Sequence, residues 1–128
     1  CREVAPVMQR QRRGRIINTA SNYGVTGSAL RTPYSAAKAA VIAFSKSLAL
    51  ELAPYGILVN VVAPGPTDTP RVMKNWTPET RKLRNAEIPL GRTGRPDDLA
   101  EAFYFFCGEE SSWMTGQTLH VNGGIVMP

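Results

Sequence analysis

Tyr34 and Lys38 stand four residues apart, a spacing that on a helix puts a phenol and an ammonium on one face, one turn from each other. An ammonium at that separation favours the phenolate. Two unit charges near 4 Å interact by about 4 kcal/mol at an effective dielectric near 20, against about 1.4 kcal/mol per pKa unit. The pair is therefore read as a tyrosine drawn toward the range where a general acid/base works. The same spacing also arises where a half-buried ring simply lies beside a solvated amine, so other residues must decide. Ser21, thirteen residues before Tyr34, is the next candidate: its hydroxyl could donate to a substrate carbonyl or alkoxide, or merely close a turn.

The elements expected to carry these groups alternate in type. A helix-like start leads into the cluster Arg10, Arg12, Arg13 and Arg15, where cations would suit a helix C-terminus and Gly14 would supply the stop. Arg15 to Ala20 (RIINTA) reads as a buried strand with Ser21 at its C-terminal end. A loop from Asn22 to Thr32 precedes a helix over Pro33 to Ala53, with Thr32 as its cap and Pro33 at its first position. Ala37, Val41, Phe44, Leu48 and Leu52 form the stripe expected to face a sheet. Ala36, Ala39, Ala40, Ala43 and Ser47 make a second, small-residue face suited to close approach of another helix, hence a candidate subunit contact.

Pro54 and Gly56 end that helix, and Ile57 to Ala63 (ILVNVVA) is the continuous apolar run of a strand covered on both faces. Strand, helix, strand implies a parallel crossover. With the strand end at Ser21 and the Pro64-Gly65 loop both at C-terminal strand edges, Ser21, Tyr34 and Pro64 converge where doubly wound sheets hold ligands. Thr67 to Gly94 is rich in breakers and reads as mostly loop, with a short helix opened by Thr77-Pro78-Glu79. Pro96 to Cys107 is helical, with Leu99, Ala102, Phe103 and Phe106 on one face. Thr118 to Val121 is a last strand, closed by the turn Asn122-Gly123-Gly124.

The 128 residues suit a single domain, and 43% apolar with 20% charged residues is ordinary globular composition. The longest apolar run falls far short of the roughly 20 residues of a membrane helix, so no span is expected. Nothing reads as a signal segment, which points to the cytoplasm. Cys1 and Cys107 are too few for a disulfide framework, and Cys107 is expected to be buried among aromatic residues. The net charge of +5 leaves nucleic acid a minor reading, since helix-end arginines account for much of it. His120, the only histidine, is expected to be structural; Met73 and Trp76 fall in a segment that could cover a ligand.

Together these motifs resemble the short-chain dehydrogenases/reductases. GRIINTAS at Gly14 to Ser21, YSAAK at Tyr34 to Lys38, VNVVAPGPTDT at Val59 to Thr69, GRTGRPDDLAEAFYFF, and TGQTLHVNGG at Thr115 to Gly124 follow the family's order over nearly all of the chain. The resemblance implies a partial Rossmann-like, doubly wound α/β sheet, the C-terminal half of the family's domain, and a reductase similar to those of 3-oxoacyl carriers. It implies Tyr34 as acid/base, Lys38 lowering its pKa and holding the nicotinamide ribose, and Ser21 on the substrate oxygen. Pro64, Gly65, Thr67 and Thr69 would border the nicotinamide of NAD or NADP, and the substrate would be an alcohol or ketone. The helix 33–53 would meet its symmetry mate in a homo-oligomer. The family's Gly-rich phosphate loop and active-site asparagine would precede Cys1, so these residues alone are expected to grip only the nicotinamide end. A different class of function also fits: a catalytically incompetent fragment that acts as an oligomeric or interaction module through its open sheet edge.

Overall fold

The computed structural model describes residues 1–128. Three strands, β1 (Gly14–Thr19), β2 (Ile57–Pro64) and β3 (Thr118–Val121), form one sheet in the order β1-β2-β3. Both pairings are parallel, with Ile16 opposite Val59 and Val62 opposite Leu119. The parallel α/β architecture expected from the alternation of elements is therefore present, and its strand edges fall within a residue of the expected ones.

The middle strand explains itself. β2 is apolar along its length because helices cover both of its faces, and Ile57, Val59, Val61, Val62 and Ala63 are fully buried. Each of the isoleucine and valine side chains contributes about 1.5–3 kcal/mol on leaving water. The one polar interruption, Asn60, is buried too and fully used: its amide donates to the Met114 carbonyl at 2.7 Å and accepts from the Gln117 N–H at 3.0 Å. These bonds tie the segment before β3 to the sheet.

On one face lies α3 (Thr32–Leu52), packing Val41, Ile42, Leu48, Ala49 and Leu52 against Ile16, Ala20, Val59, Val61 and Ala63. On the other, α6 (Pro96–Cys107) sets Ala102, Phe103 and Phe106 against Val62, Leu119 and Val121. The expected inner stripe of α3 is corrected at two places: Ala37 is exposed and Phe44 is half exposed, while Ile42, Ser45 and Ala49 turn inward. The helix is apolar on both faces, so spacing alone could not orient it. Ser45 goes inside because its hydroxyl is satisfied there, donating to the Val41 carbonyl at 2.7 Å and accepting from the Asn18 amide at 2.9 Å.

Further departures are local. α1 (Ala5–Gln11) stops at Arg12, which adopts a left-handed conformation at φ 54°, and Gly14 opens β1 instead of ending the helix. Thr32 is already helical, and Arg31 occupies the cap without a side-chain bond. The loops expected after Ser21 and after Thr67 contain α2 (Tyr23–Thr26), α4 (Pro70–Asn75) and α5 (Pro78–Ala86), the last opened by Thr77 as read from its sequence. Cys107 is exposed rather than buried, since the inner face of α6 passes through Phe106. His120 stands on β3 with its Nδ1 buried and unpartnered, and burial holds the imidazole below its ordinary pKa. No helix is long and apolar enough to cross a membrane.

Candidate active site

Two backbone bonds carry the β1–β2 ladder past the strand ends: Ala20 N–H donates to the Val62 carbonyl at 2.8 Å and Asn22 N–H to the Pro64 carbonyl at 3.1 Å. Ser21 is held between them, only 6% exposed. Its hydroxyl donates to Asn22 Oδ1 at 3.2 Å and accepts from the Tyr23 N–H at 3.2 Å. The serine is thereby fixed at the sheet's C-terminal edge by the two residues that follow it.

Tyr34 and Lys38 reach the same edge from the first turns of α3. Lys38 Nζ donates to the Thr19 carbonyl at 3.0 Å, anchoring the helix to the end of β1, and lies 5.8 Å from the centre of the Tyr34 ring. Tyr34 is 44% exposed and meets Tyr23 edge to face, with ring centres 6.5 Å apart. Gly24 makes this closeness possible: a Cβ there would come 2.8 Å from the Lys38 carbonyl carbon, so any larger residue would push α2 off α3.

The opposite wall is the loop after β2. Gly65 is required by close approach, since a Cβ would lie 2.7 Å from that of Asn122. Its N–H donates to the Val121 carbonyl at 3.0 Å, which closes the β2–β3 end. Thr67 donates its hydroxyl to the Gly65 carbonyl at 3.1 Å, and Thr69 caps α4 by accepting from the Val72 N–H. Both threonines shape the loop as well as line it.

Between the walls lies a cleft of about 500 Å³. Ser21, Tyr34, Lys38, Pro64, Gly65, Thr67 and Thr69, each singled out from sequence, all line it. So does Trp76, whereas Met73 is exposed outside it and His120 is not part of it. Several contributors escaped the sequence reading. Asn22 holds Ser21, Gly24 seats α2, and Arg31 lies over the Tyr23 ring at 5.5 Å to its centre. The signal for the first two was the SNYG run directly after the strand; for Arg31 it was position alone, three residues before Tyr34.

A protein-family model described as enoyl-(acyl carrier protein) reductase matches residues 1–126. The chain belongs to the short-chain dehydrogenase/reductase family. Among relatives, it is 46% identical over 120 residues to the 3-oxoacyl-(acyl-carrier-protein) reductase FabG of Vibrio cholerae serotype O1, covering 94% of this chain and 49% of that one. It is 42% identical over 112 residues to the glucose and ribitol dehydrogenase homolog of Oryza sativa subsp. japonica, covering 88% of this chain and 37% of the relative. The crystal structure of 3-oxoacyl-(acyl-carrier protein) reductase from Brucella melitensis superposes with a TM-score of 0.93 at 41% identity, over 99% of this chain and 47% of that one. The chain thus spans about half the length of the short-chain dehydrogenase/reductase relatives it matches, and corresponds to their C-terminal half.

Proposed function

We propose that these residues form the catalytic half of a NAD(P)-dependent oxidoreductase that interconverts an alcohol and a ketone. The observation that carries the reading is the convergence of Ser21, Tyr34 and Lys38 on one cleft at the C-terminal edge of a parallel sheet. In this reading the 128 residues are one unit, the C-terminal part of a Rossmann-like domain. The cleft suits the nicotinamide end of such a cofactor. Lys38 keeps two N–H donors beyond the one given to Thr19. Lys38 would hold the ribose, and Pro64, Gly65, Thr67 and Thr69 would border the ring and its carboxamide. When bound, the cofactor supplies or accepts the hydride.

The chain's own residues do the rest. Ser21 orients the substrate oxygen, and its hydroxyl must turn from Asn22 to donate there. Tyr34, partly open to the cleft, gives a proton to that oxygen in reduction and takes it back in oxidation. Lys38, fixed by Thr19, keeps a positive charge beside the ring through both directions.

In the intact polypeptide, Tyr34→Phe should lower carbonyl reduction about 10²- to 10⁴-fold, the usual worth of a positioned acid. The melting temperature should stay within a degree or two. Retention of more than a few per cent of the rate would remove Tyr34 from this role.

We further propose that α3 meets a second copy through its outward face. Ala36, Ala39, Ala40 and Ala43 are exposed there beside the half-exposed Phe44, a patch small enough for helices to approach closely. Replacing Ala40 and Ala43 together by glutamate should shift sedimentation toward monomer at tens of micromolar. Unchanged assembly would rule this face out.

A further inference from the structure

The charges lining the cleft are unbalanced. Arg31, Lys38, Arg71 and Arg84 face it against a single acid, Glu87, and that carboxylate is already taken by Arg84 at 3.0 Å. Lys38 is anchored to the Thr19 carbonyl. Arg31 and Arg71 remain without a carboxylate within 4 Å, in a concavity whose walls concentrate the field of whatever charge they carry.

Of the two, Arg31 is the one built into the wall that carries the tyrosine. It precedes Tyr34 by three residues and follows Leu30, which takes a left-handed conformation at φ 61° that is uncommon for a bulky side chain. From there its guanidinium lies over Tyr23, and Tyr23 in turn packs edge-on against Tyr34. The guanidinium carbon sits 5.5 Å from the ring centre, and its N–H groups make no hydrogen bond to the protein. A fork presented in that way matches a carboxylate in two parallel hydrogen bonds.

We propose that Arg31 is a specificity residue: it selects carbonyl substrates that carry a carboxylate, such as short oxo acids, over their neutral counterparts. The proposal rests on the reading of Ser21 and Tyr34 as the carbonyl site. It adds that the remainder of the substrate runs along the Tyr23 wall and ends on the guanidinium. Carbonyl and carboxylate are then held at two separate points, and that fixes which face of the carbonyl carbon is open to hydride.

The intact polypeptide can be assayed with acetoacetate and with methyl acetoacetate, which differ in charge and little in shape. The wild type should favour acetoacetate at least about tenfold in kcat/KM, the worth of one charge-assisted pair. Arg31→Gln should bring that ratio near one while leaving the ester's rate within about twofold. Arg31→Lys should recover part of the preference, because charge returns without the fork. Arg71→Gln should preserve the ratio, which separates a local reader from a diffuse positive field. Calorimetry without any nucleotide should show acetoacetate bound by wild type and weakened at least about fivefold by Arg31→Gln. An equal response to both compounds in wild type, an undiminished preference in Arg31→Gln, or an equal loss in Arg31→Gln and Arg71→Gln would each overturn the proposal. Turnover of neutral ketones that still depends on Tyr34 would, in every such case, leave the carbonyl site standing. Loss of that dependence would instead remove the site on which the proposal rests.

Discussion

The two ends of the sheet spend the same residue types differently. At the N-terminal edge, Arg13 pairs with Glu109 at 2.8 Å, and Arg15 reaches Glu109 at 3.4 Å and the buried Ser111 hydroxyl at 3.0 Å. Arg12 covers the Tyr55 ring at 5.7 Å and brings its own carbonyl against Gly56, where a Cβ would come within 2.8 Å. Every one of those arginines closes a contact between elements. At the C-terminal edge Arg31 has an aromatic neighbour and no acid, and Tyr34 is left partly open beside a cleft. A basic chain is therefore not uniformly a binding surface. The arginine cluster that first suggests nucleic acid is largely consumed by the fold, and the charge free for a ligand lies elsewhere.

The division can be tested by crossing the two ends. Tyr34→Phe, with the largest expected effect, should remove activity by two to four orders of magnitude and leave stability alone. Arg15→Met should do the reverse. Its side chain is 16% exposed and bonds a hydroxyl that is wholly buried, so its loss should cost about 1–3 kcal/mol in urea unfolding. The rate per folded molecule should hold within about twofold. A large fall in that rate would mean that the N-terminal edge is coupled to the cleft, and the comparison would fail.

Much of this was legible because it depends on chain order and local chemistry. The strand edges, the crossover and the helix Pro96–Cys107 follow from apolar runs, proline at helix starts and glycine turns, and the seven expected cleft residues all arrive there because parallel strands deliver their ends to one side. What stayed hidden depends on partners distant in sequence. Ser45 faces inward where its hydroxyl accepts from the amide of Asn18, twenty-seven residues away. For Cys107 and Phe44, in a helix with apolar residues on more than one face or ending in an aromatic run, periodicity does not say which neighbour wins. Arg12 could take the left-handed turn in place of Gly14 because the structure places the glycine where Met8 leaves no room, with a Cβ at Gly14 meeting that side chain's carbons at 2.7 and 2.9 Å. None of these contacts leaves a mark on local spacing.

Asp98 refines the comparison, because it is a paired charge at the C-terminal edge. At the start of α6 its carboxylate accepts from Arg92 at 2.6 and 3.0 Å and from the Arg95 N–H at 2.6 Å. It also suits the helix N-terminus, where a negative charge is favoured. The Arg92 bonds, then the Arg95 N–H, hold this carboxyl well below the ordinary carboxylate range. The edge on which a charge sits therefore does not by itself set it free for a ligand, since Asp98 at the C-terminal edge is ion-paired just as Arg13 and Arg15 are at the other. Since the folded pKa is depressed, the stabilisation is present above the unfolded value near 3.8 and is lost as pH falls below it. Asp98→Asn should lower the melting temperature by a small, constant amount between pH 5 and 8, because the pair is partly solvent-exposed and screened. That gap should narrow as pH falls below about 4, where the unfolded wild-type carboxylate begins to take up a proton that the folded one resists. A gap that widened toward acid, or one that appeared only above pH 6, would show that Asp98 does not cap α6 as a carboxylate.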